Sequence, residues 1–282
     1  MALHFTRQEL AARRAETCRA MVADGLDALL MFRQESMFYL TGYDTFGYVY
    51  FQCLVMTADG RLVLLTRAPD LRQAKLTSMI DDIRIWQDRD GATPADDLKD
   101  ILVELGLSGK ALGVEEEAYG LTGRSLRLLD RALADDFRMQ DASMLVSRQR
   151  LVKSPAEITY VERAAELGDD ALKVAWETAG PGVFEGEILA GMQGAVFAGG
   201  GDYPGNEFII GSGRYAQLCR YFTGRRHLDA QDQLTLEFAG VYRRYHAALM
   251  RTVPVGGATD HHRAMHAACA YALAACEDAV RP

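Results

Sequence analysis

Hydrophobic positions recur with two different periods along the first half of the chain, which predicts alternating helices and strands. Helical spacing covers residues 6–24, and the apolar run Asp27–Phe32 is typical of a buried strand. The apolar runs Tyr48–Thr57 and Leu62–Thr66 flank Asp59–Gly60, which predicts a β-hairpin. The same patterns predict helices over 35–40, 69–78, 95–106 and 121–133, and strands over 83–87 and 111–114. Alternation on this scale predicts a three-layer α/β domain.

A second domain is predicted after a connecting helix. We place the first domain at residues 1–135, the connecting helix at 136–153 and the second domain at 154–282. Ser154 and Pro155 predict a helix start, since Ser154 is a suitable N-cap and Glu157 completes a capping box. Further helices are predicted over 185–198 and 259–280, a strand over 208–211, and a hairpin over 233–252 with its turn at Ala239–Gly240.

Composition and charge exclude several classes of partner. The chain has 282 residues, of which 49% are hydrophobic and 25% charged, and its formal net charge is −8. This acidic balance makes nucleic acid and anionic membranes poor partners. No apolar stretch reaches the roughly 18 residues needed to span a bilayer. The five cysteines are odd in number and lack a C-x-x-C spacing, so reduced thiols in a cytoplasmic protein are expected.

The hairpin DQLTLEFAGVYRRYHAALMRTV carries the candidate chemistry. Because strand side chains alternate between faces, Glu237 and Ala239 share one face of the first strand. His246, Ala248 and Met250 share a face of the return strand. If Glu237 faces a cavity, His246 is expected to line the same cavity, and these two are the candidate catalytic residues. The rival interpretation makes Glu237 a structural carboxylate that pairs with an arginine, either Arg220 or Arg244.

Several motifs, in order along the chain, resemble the pita-bread hydrolase family of creatinase, prolidase and methionine aminopeptidase. They are Phe38–Asp44, Arg150–Ile158, Ala179–Glu187 and Ser212–Tyr221. The order matches the creatinase-type two-domain subgroup, and the stretch Glu237–His246 is most similar to that of the ectoine hydrolases. The resemblance implies a creatinase-like N-terminal α/β domain followed by a pita-bread α+β catalytic domain. It also implies that the catalytic domain is incomplete here, because the family's later histidine and carboxylates would follow Pro282.

The resemblance further implies that a metal site has been altered. In the family, two aspartates of this hairpin bind a dinuclear metal centre, and the matching positions here are Glu237 and Ala248. A histidine of the family corresponds to Arg220. One metal-ligand position is therefore a methyl group and another is a cation. We expect no cofactor, and a divalent metal (Mn, Zn or Co) only if a peptidase activity is retained.

These residues predict a metal-independent hydrolase of a C–N bond in a small amino-acid derivative, either ectoine-like or creatine-like. Glu237 would act as a general base on water or as a nucleophile. Arg220 is suited to hold a substrate carboxylate, with Tyr221 beside it. Two alternatives stay open. One is an Xaa-Pro aminopeptidase or dipeptidase with a shifted metal site, and the other is an inactive pita-bread binding module.

The resemblance also implies a homodimer. In creatinase-type enzymes the N-terminal domain of one subunit reaches the active site of the other. Tyr43 and Phe46 belong to the loop that would do so here, and their rings suit a small zwitterionic or cationic ligand.

Overall fold

The computed structural model describes residues 3–218 and 224–281, which form two compact units, Met1–Val152 and Lys153–Pro282. Arg220 and Tyr221, two of the predicted substrate-binding residues, lie outside the described residues. Among the described residues, no helix has the length and apolar character required to cross a membrane.

The first unit is a three-layer α/β domain around a six-stranded mixed sheet of order β4-β3-β2-β1-β5-β6. Its strands are β1 (Ala28–Met31), β2 (Cys53–Thr57), β3 (Leu62–Thr66), β4 (Asp82–Ile85), β5 (Ala111–Val114) and β6 (Arg138–Asp141). Its helices are α1 (Arg7–Ala23), α2 (Gln34–Thr41), α3 (Ala68–Thr77), α4 (Pro94–Glu104), α5 (Gly123–Leu133) and α6 (Leu145–Gln149).

Two hydrophobic clusters cover the two faces of this sheet. On β1, Ala28 and Leu30 contribute to the cluster that includes α4 and α5. Leu29 and Met31 contribute to the opposite cluster, which includes residues of α1, α2, α3 and α6. All four β1 residues are fully buried, as expected for a central strand with helices on both sides. The three-layer prediction is therefore confirmed.

Part of the segment predicted as a connecting helix is strand. Residues 138–141 form β6, which pairs in parallel with β5 and adds an edge strand to the sheet. Helix α6 covers only Leu145–Gln149. The β6 sequence, RMQD, has one apolar residue and is mostly exposed, so its hydrophobic pattern did not predict a strand.

The second unit packs long helices against an antiparallel sheet of order β7-β8-β9. Its strands are β7 (Ile209–Ser212), β8 (Asp232–Tyr242) and β9 (Tyr245–Val255), and its helices are α7 (Pro155–Thr178), α8 (Glu185–Ala198) and α9 (Asp260–Ala279). Leu234, Leu236 and Phe238 of β8 are buried in a cluster with α7 and α8. The predicted capping box at Ser154 is present at the start of α7. Helix α9 has no buried residue.

The hairpin turn lies at Arg243–Arg244, so the predicted turn at Ala239–Gly240 is wrong. Both arginines have positive φ, 48° and 70°, which is the backbone that a two-residue hairpin turn requires. The Arg243 guanidinium donates to the Tyr160 hydroxyl at 2.6 Å, and the Arg244 amide donates to Asp202 at 3.1 Å. These contacts stabilise a turn conformation that arginine side chains disfavour.

Gly240 lies within β8 and serves close packing instead of a turn. A Cβ there would lie 1.9 Å from the Ala164 carbonyl oxygen and 2.4 Å from the Gly168 amide nitrogen, both on α7. A glycine on the strand therefore lets α7 approach the hairpin closely, which is a common reason for glycine inside a strand.

Candidate functional site

The register of the hairpin places the candidate residues on one face of the sheet. Glu237 of β8 lies between Ile209 of β7 and Met250 of β9. Ala239 is opposite Ala248, and Val241 is opposite His246. Directly opposed residues of an antiparallel pair share a face. Glu237, Ala248 and His246 therefore lie on the same face, as the alternation predicts.

A cavity of about 150 Å³ opens on this face next to Glu237. Two residues of the hairpin that flank Glu237, Thr235 and Met250, line it, together with residues of β7 and of the 3₁₀ helix Gly213–Gln217. The complete lining consists of Ile209, Gly211, Tyr215, Ala216, Gln217, Leu218, Thr235, Glu237 and Met250. Among these residues Glu237 is the charged one, in a wall that is otherwise neutral.

The Glu237 carboxylate has no hydrogen-bond or ion-pair partner among residues 3–218 and 224–281, although it is half-buried. Pairing with Arg244 is absent, because Arg244 lies in the turn, well over 10 Å farther along the hairpin. The alternative partner, Arg220, is outside the described residues. A half-buried carboxylate without a partner keeps its oxygens available to a water molecule or a ligand.

His246 lies apart from Glu237 and has a different environment. The two side chains are four strand positions apart, about 13 Å at the usual rise per residue. The Gly205 amide donates to His246 Nε2 at 2.8 Å, and Nδ1 lies 3.0 Å from the Arg244 carbonyl oxygen. This pair of contacts fits a neutral ring with its proton on Nδ1. Both ring nitrogens are thus engaged with backbone, which favours a structural role near the turn.

The two predicted aromatic contacts of the first unit differ in exposure. Tyr43 is fully buried, and its hydroxyl lies 3.4 Å from Gln52 Oε1. Burial raises the pKa of the Tyr43 hydroxyl. Phe46 is 79% exposed. Of the two, only the Phe46 ring is accessible to a ligand.

The hairpin residues do not fit a dinuclear metal centre. Such a centre needs several carboxylate and imidazole ligands around two ions. Here the residue opposite Glu237 is Met250 and the residue opposite Ala248 is Ala239, so none of the three neighbours offers a carboxylate or imidazole ligand. Across the described part of the chain, no group of three or more histidine, cysteine, aspartate or glutamate side chains is arranged so that it could hold a metal ion.

Sequence reasoning missed two polar residues of the cavity wall, Tyr215 and Gln217. They belong to the 3₁₀ helix that follows β7 directly. A Cβ on Gly211 would lie 2.7 Å from the Tyr215 carbonyl oxygen, so the chain folds back tightly onto the strand it has just left. In the sequence, the spacing Gly211-Ser212-Gly213 indicates a tight turn at this point. It does not indicate that the turn places Tyr215 and Gln217 next to Glu237.

The fold agrees with what comparison with known proteins finds. Residues 13–152 match the creatinase/prolidase N-terminal domain, and residues 159–282 match metallopeptidase family M24. The chain belongs to the creatinase/prolidase family of pita-bread hydrolases, in its creatinase-type two-domain subgroup. It is therefore a hydrolase of the class that acts on C–N bonds.

Individual relatives are distant in sequence. The chain is 28% identical to the ectoine hydrolase of Halomonas elongata over 91% of this chain and 68% of that protein. It is 29% identical to an uncharacterized hydrolase/peptidase of Sinorhizobium fredii, over 99% of this chain and 74% of that protein. The solved Xaa-Pro dipeptidase of Bacillus anthracis matches with a TM-score of 0.74 at 22% identity, covering 90% of this chain and 67% of that one. The last match bears on fold alone.

Proposed function

We propose that this protein hydrolyses a C–N bond in a small amino-acid derivative, ectoine-like or creatine-like, without a catalytic metal. The observation that carries the proposal is the Glu237 carboxylate, without a partner among the described residues and beside a small cavity. The next residue pair on the same face of the hairpin is Ala239 and Ala248, whose methyl groups cannot bind a metal ion. Sequence similarity to an ectoine hydrolase supports the substrate class.

Two roles for Glu237 are compatible with this geometry. As a general base, Glu237 takes a proton from water while the water oxygen attacks the carbon of the C–N bond; the proton then passes to the departing nitrogen. As a nucleophile, a Glu237 oxygen bonds to that carbon while the C–N bond breaks and the departing nitrogen takes a proton from water; a second water molecule then hydrolyses the acyl intermediate and releases the Glu237 carboxylate. Both require a charged carboxylate that faces the substrate, which an amide at this position cannot supply.

We infer that Arg220 and Tyr221 bind the substrate, and that His246 and Tyr43 have supporting roles. The Arg220 guanidinium is suited to a bidentate contact with a substrate carboxylate, and Tyr221 is its chain neighbour. His246 shares the Glu237 face but contacts the backbone of Gly205 and Arg244, so we assign it to positioning of the hairpin end and not to proton transfer. Tyr43, which is buried, would act by supporting the loop that carries Phe46.

We further propose a cytoplasmic homodimer in which the Phe46 loop contributes to the partner's site. The loop exposes Phe46, Val49 and Tyr50, each more than half accessible. Apolar side chains exposed together are typical of an interaction surface. Sedimentation equilibrium is expected to give twice the mass of one chain, and a monomer at all accessible concentrations would contradict this.

The proposed cytoplasmic location rests on the cysteines. Cys53 and Cys18 are free thiols, which is consistent with a reducing compartment.

Metal analysis separates this proposal from the peptidase alternative. The purified full chain is expected to contain no stoichiometric Mn, Zn or Co and to keep its activity on ectoine or creatine after chelation. Stoichiometric metal together with chelator-sensitive cleavage of Xaa-Pro dipeptides would contradict the proposal. The alternative has some support, because solved Xaa-Pro peptidases share the fold and family M24 is a metallopeptidase family.

A further inference from the structure

A buried polar cluster lies beside the cavity, and the proposed chemistry does not use it. It consists of Glu185 at the start of α8, Ser212 at the end of β7, Asp232 at the start of β8, and Arg226. The Glu185 and Ser212 residues are 1% and 0% exposed, and the Asp232 side chain is 2% exposed. Buried charged groups of this kind are found where they fix a conformation or serve a site.

Arg226 connects the members of this cluster. Its Nη1 donates to Ser212 Oγ at 2.5 Å and also to Asp232 Oδ2, and its Nη2 pairs with Asp229. Ser212 Oγ in turn donates to Glu185 Oε1 at 2.6 Å. One guanidinium thereby bridges the ends of two strands and, through a hydroxyl, the start of a helix.

The carboxylates of the cluster also accept hydrogen bonds from backbone amides at Gly213, where one wall of the cavity begins, and at Arg225 and Arg226. Asp232 Oδ1 accepts the Gly213 amide at 2.8 Å. Glu185 Oε2 accepts the amides of Arg225 and Arg226, both at 3.2 Å. Burial alone would raise the pKa of Asp232, but the Arg226 guanidinium and the amides of Asp229, Gln233 and Gly213 hold it below its ordinary value. The charged form is therefore the one that the cluster stabilises.

These contacts fix the segment that forms one wall of the cavity. Gly213 has a φ of +54°, and it begins the 3₁₀ helix whose Tyr215 and Gln217 line the Glu237 cavity. A Cβ on Gly213 would lie 3.3 Å from the Arg226 guanidinium carbon, so the arginine packs directly on the first residue of this wall. Arg226 itself is not part of the lining.

We propose that Arg226 is a positioning residue: through Ser212 and Asp232 it holds the Gly213–Leu218 wall in the conformation that shapes the Glu237 cavity. Without Arg226, the buried Asp232 carboxylate would lose this ion pair and Ser212 Oγ would lose the guanidinium donor. The Gly213–Leu218 wall would then open locally, while β8 stays hydrogen-bonded to β7 and β9. The inference rests on the proposed function only insofar as the cavity binds substrate.

Hydrogen–deuterium exchange on the full chain tests the holding role directly. Arg226→Met is expected to speed exchange of amides in residues 213–218 by about tenfold or more, because charged hydrogen bonds are lost. Amides of β8 at residues 234–240 should change by much less. Arg226→Lys, which can pair with Asp232 but not span all three partners, should fall in between. Arg84→Met is the matched control, since Arg84 also joins two carboxylates, Asp82 and Glu104, but in the first unit.

The KM and kcat of the Arg226 variants provide a second test of the proposal. With a confirmed substrate, Arg226→Met should raise KM by about tenfold and leave kcat within about threefold, because the wall binds substrate and does not react. Unchanged exchange at 213–218, or equal acceleration across the whole second unit in both Arg226 variants, would overturn the proposal. A fall in kcat with unchanged KM would do the same. Glu237→Gln tests the chemistry separately, since it leaves the Arg226 contacts intact.

Discussion

At the scale of single residues, Glu237 differs from the other buried or half-buried carboxylates that the structure describes in the second unit. Asp232 and Glu185 each accept several hydrogen bonds, and Glu157 accepts the Tyr245 hydroxyl at 2.8 Å. Glu237 has no such partner among the described residues. A carboxylate retained in a cavity without structural contacts is a candidate for a role toward a ligand.

Gly240 offers a test of how α7 packs on the hairpin. Gly240→Ala is expected to destabilise the second unit by about 1–3 kcal/mol or more, since its Cβ would overlap backbone of Ala164. Gly194→Ala on α8 is the matched control. Its Cβ would meet nothing within 4 Å, so the change should be neutral or stabilise by about 0.5–1 kcal/mol. Denaturant unfolding measures both, and equal effects would contradict the packing account.

Glu115 predicts a pH dependence of stability in the first unit. It is fully buried and accepts the Phe32 and Arg33 amides at 3.1 and 2.9 Å. Burial raises the pKa of this carboxyl. Its contribution to stability is therefore fully present below the pKa of an unfolded glutamate, about 4.3, and is lost as the pH rises through its raised pKa.

Glu115→Gln should remove this dependence because the amide stays neutral. The difference in the free energy of unfolding between variant and wild type is expected to shift in the variant's favour as the pH rises from about 4.3 through the raised pKa of Glu115. Exposed Glu116→Gln serves as control and should give a constant difference. A constant difference for Glu115→Gln as well would show that burial does not disfavour its charged form.

At the scale of elements, the two capped helices of the second unit are expected to respond differently to loss of their caps. Ser154 caps α7, which packs against β8, and Thr259 caps α9, which has no buried residue. Ser154→Ala should cost about 1 kcal/mol and accelerate exchange in β8. Thr259→Ala should fray α9 and leave β8 unchanged. Equal rates of amide hydrogen exchange in β8 for the two variants would contradict the expectation that only α7 stabilises β8.

Elements with strong periodicity were predictable from sequence, and those that depend on tertiary contacts were not. The predicted strand Leu62–Thr66 coincides with β3, and the predicted helix 185–198 coincides with α8. The turn at Arg243–Arg244 escaped prediction because arginine disfavours positive φ, and the contacts with Tyr160 and Asp202 that stabilise the turn come from residues distant in sequence. Likewise, Glu237 was predicted as a site residue from its motif. Tyr215 and Gln217 line the cavity because the chain turns back onto β7 after Gly213, and the hydrophobic pattern does not predict this turn.

At the scale of the whole molecule, the two units follow the two matched family regions, 13–152 and 159–282. The chain covers 74% and 68% of the length of the two relatives compared above. The account of function depends on the second unit, where β7, β8 and the Gly213–Leu218 wall place one carboxylate in a small, otherwise neutral cavity. Its central claim is that this carboxylate, without a metal, carries the hydrolysis.

The turnover number of Glu237→Gln, measured in the presence of a chelator on a substrate that the wild type hydrolyses, tests this claim most directly. Ectoine, creatine and Xaa-Pro dipeptides are the substrates to screen, and Glu207→Gln, an exposed carboxylate of the same unit, is the control. We expect kcat to fall by about a hundredfold or more in Glu237→Gln, because loss of a general base or nucleophile has that magnitude, and to stay unchanged in Glu207→Gln. Undiminished turnover by Glu237→Gln, or loss of wild-type turnover in the chelator, would contradict the account.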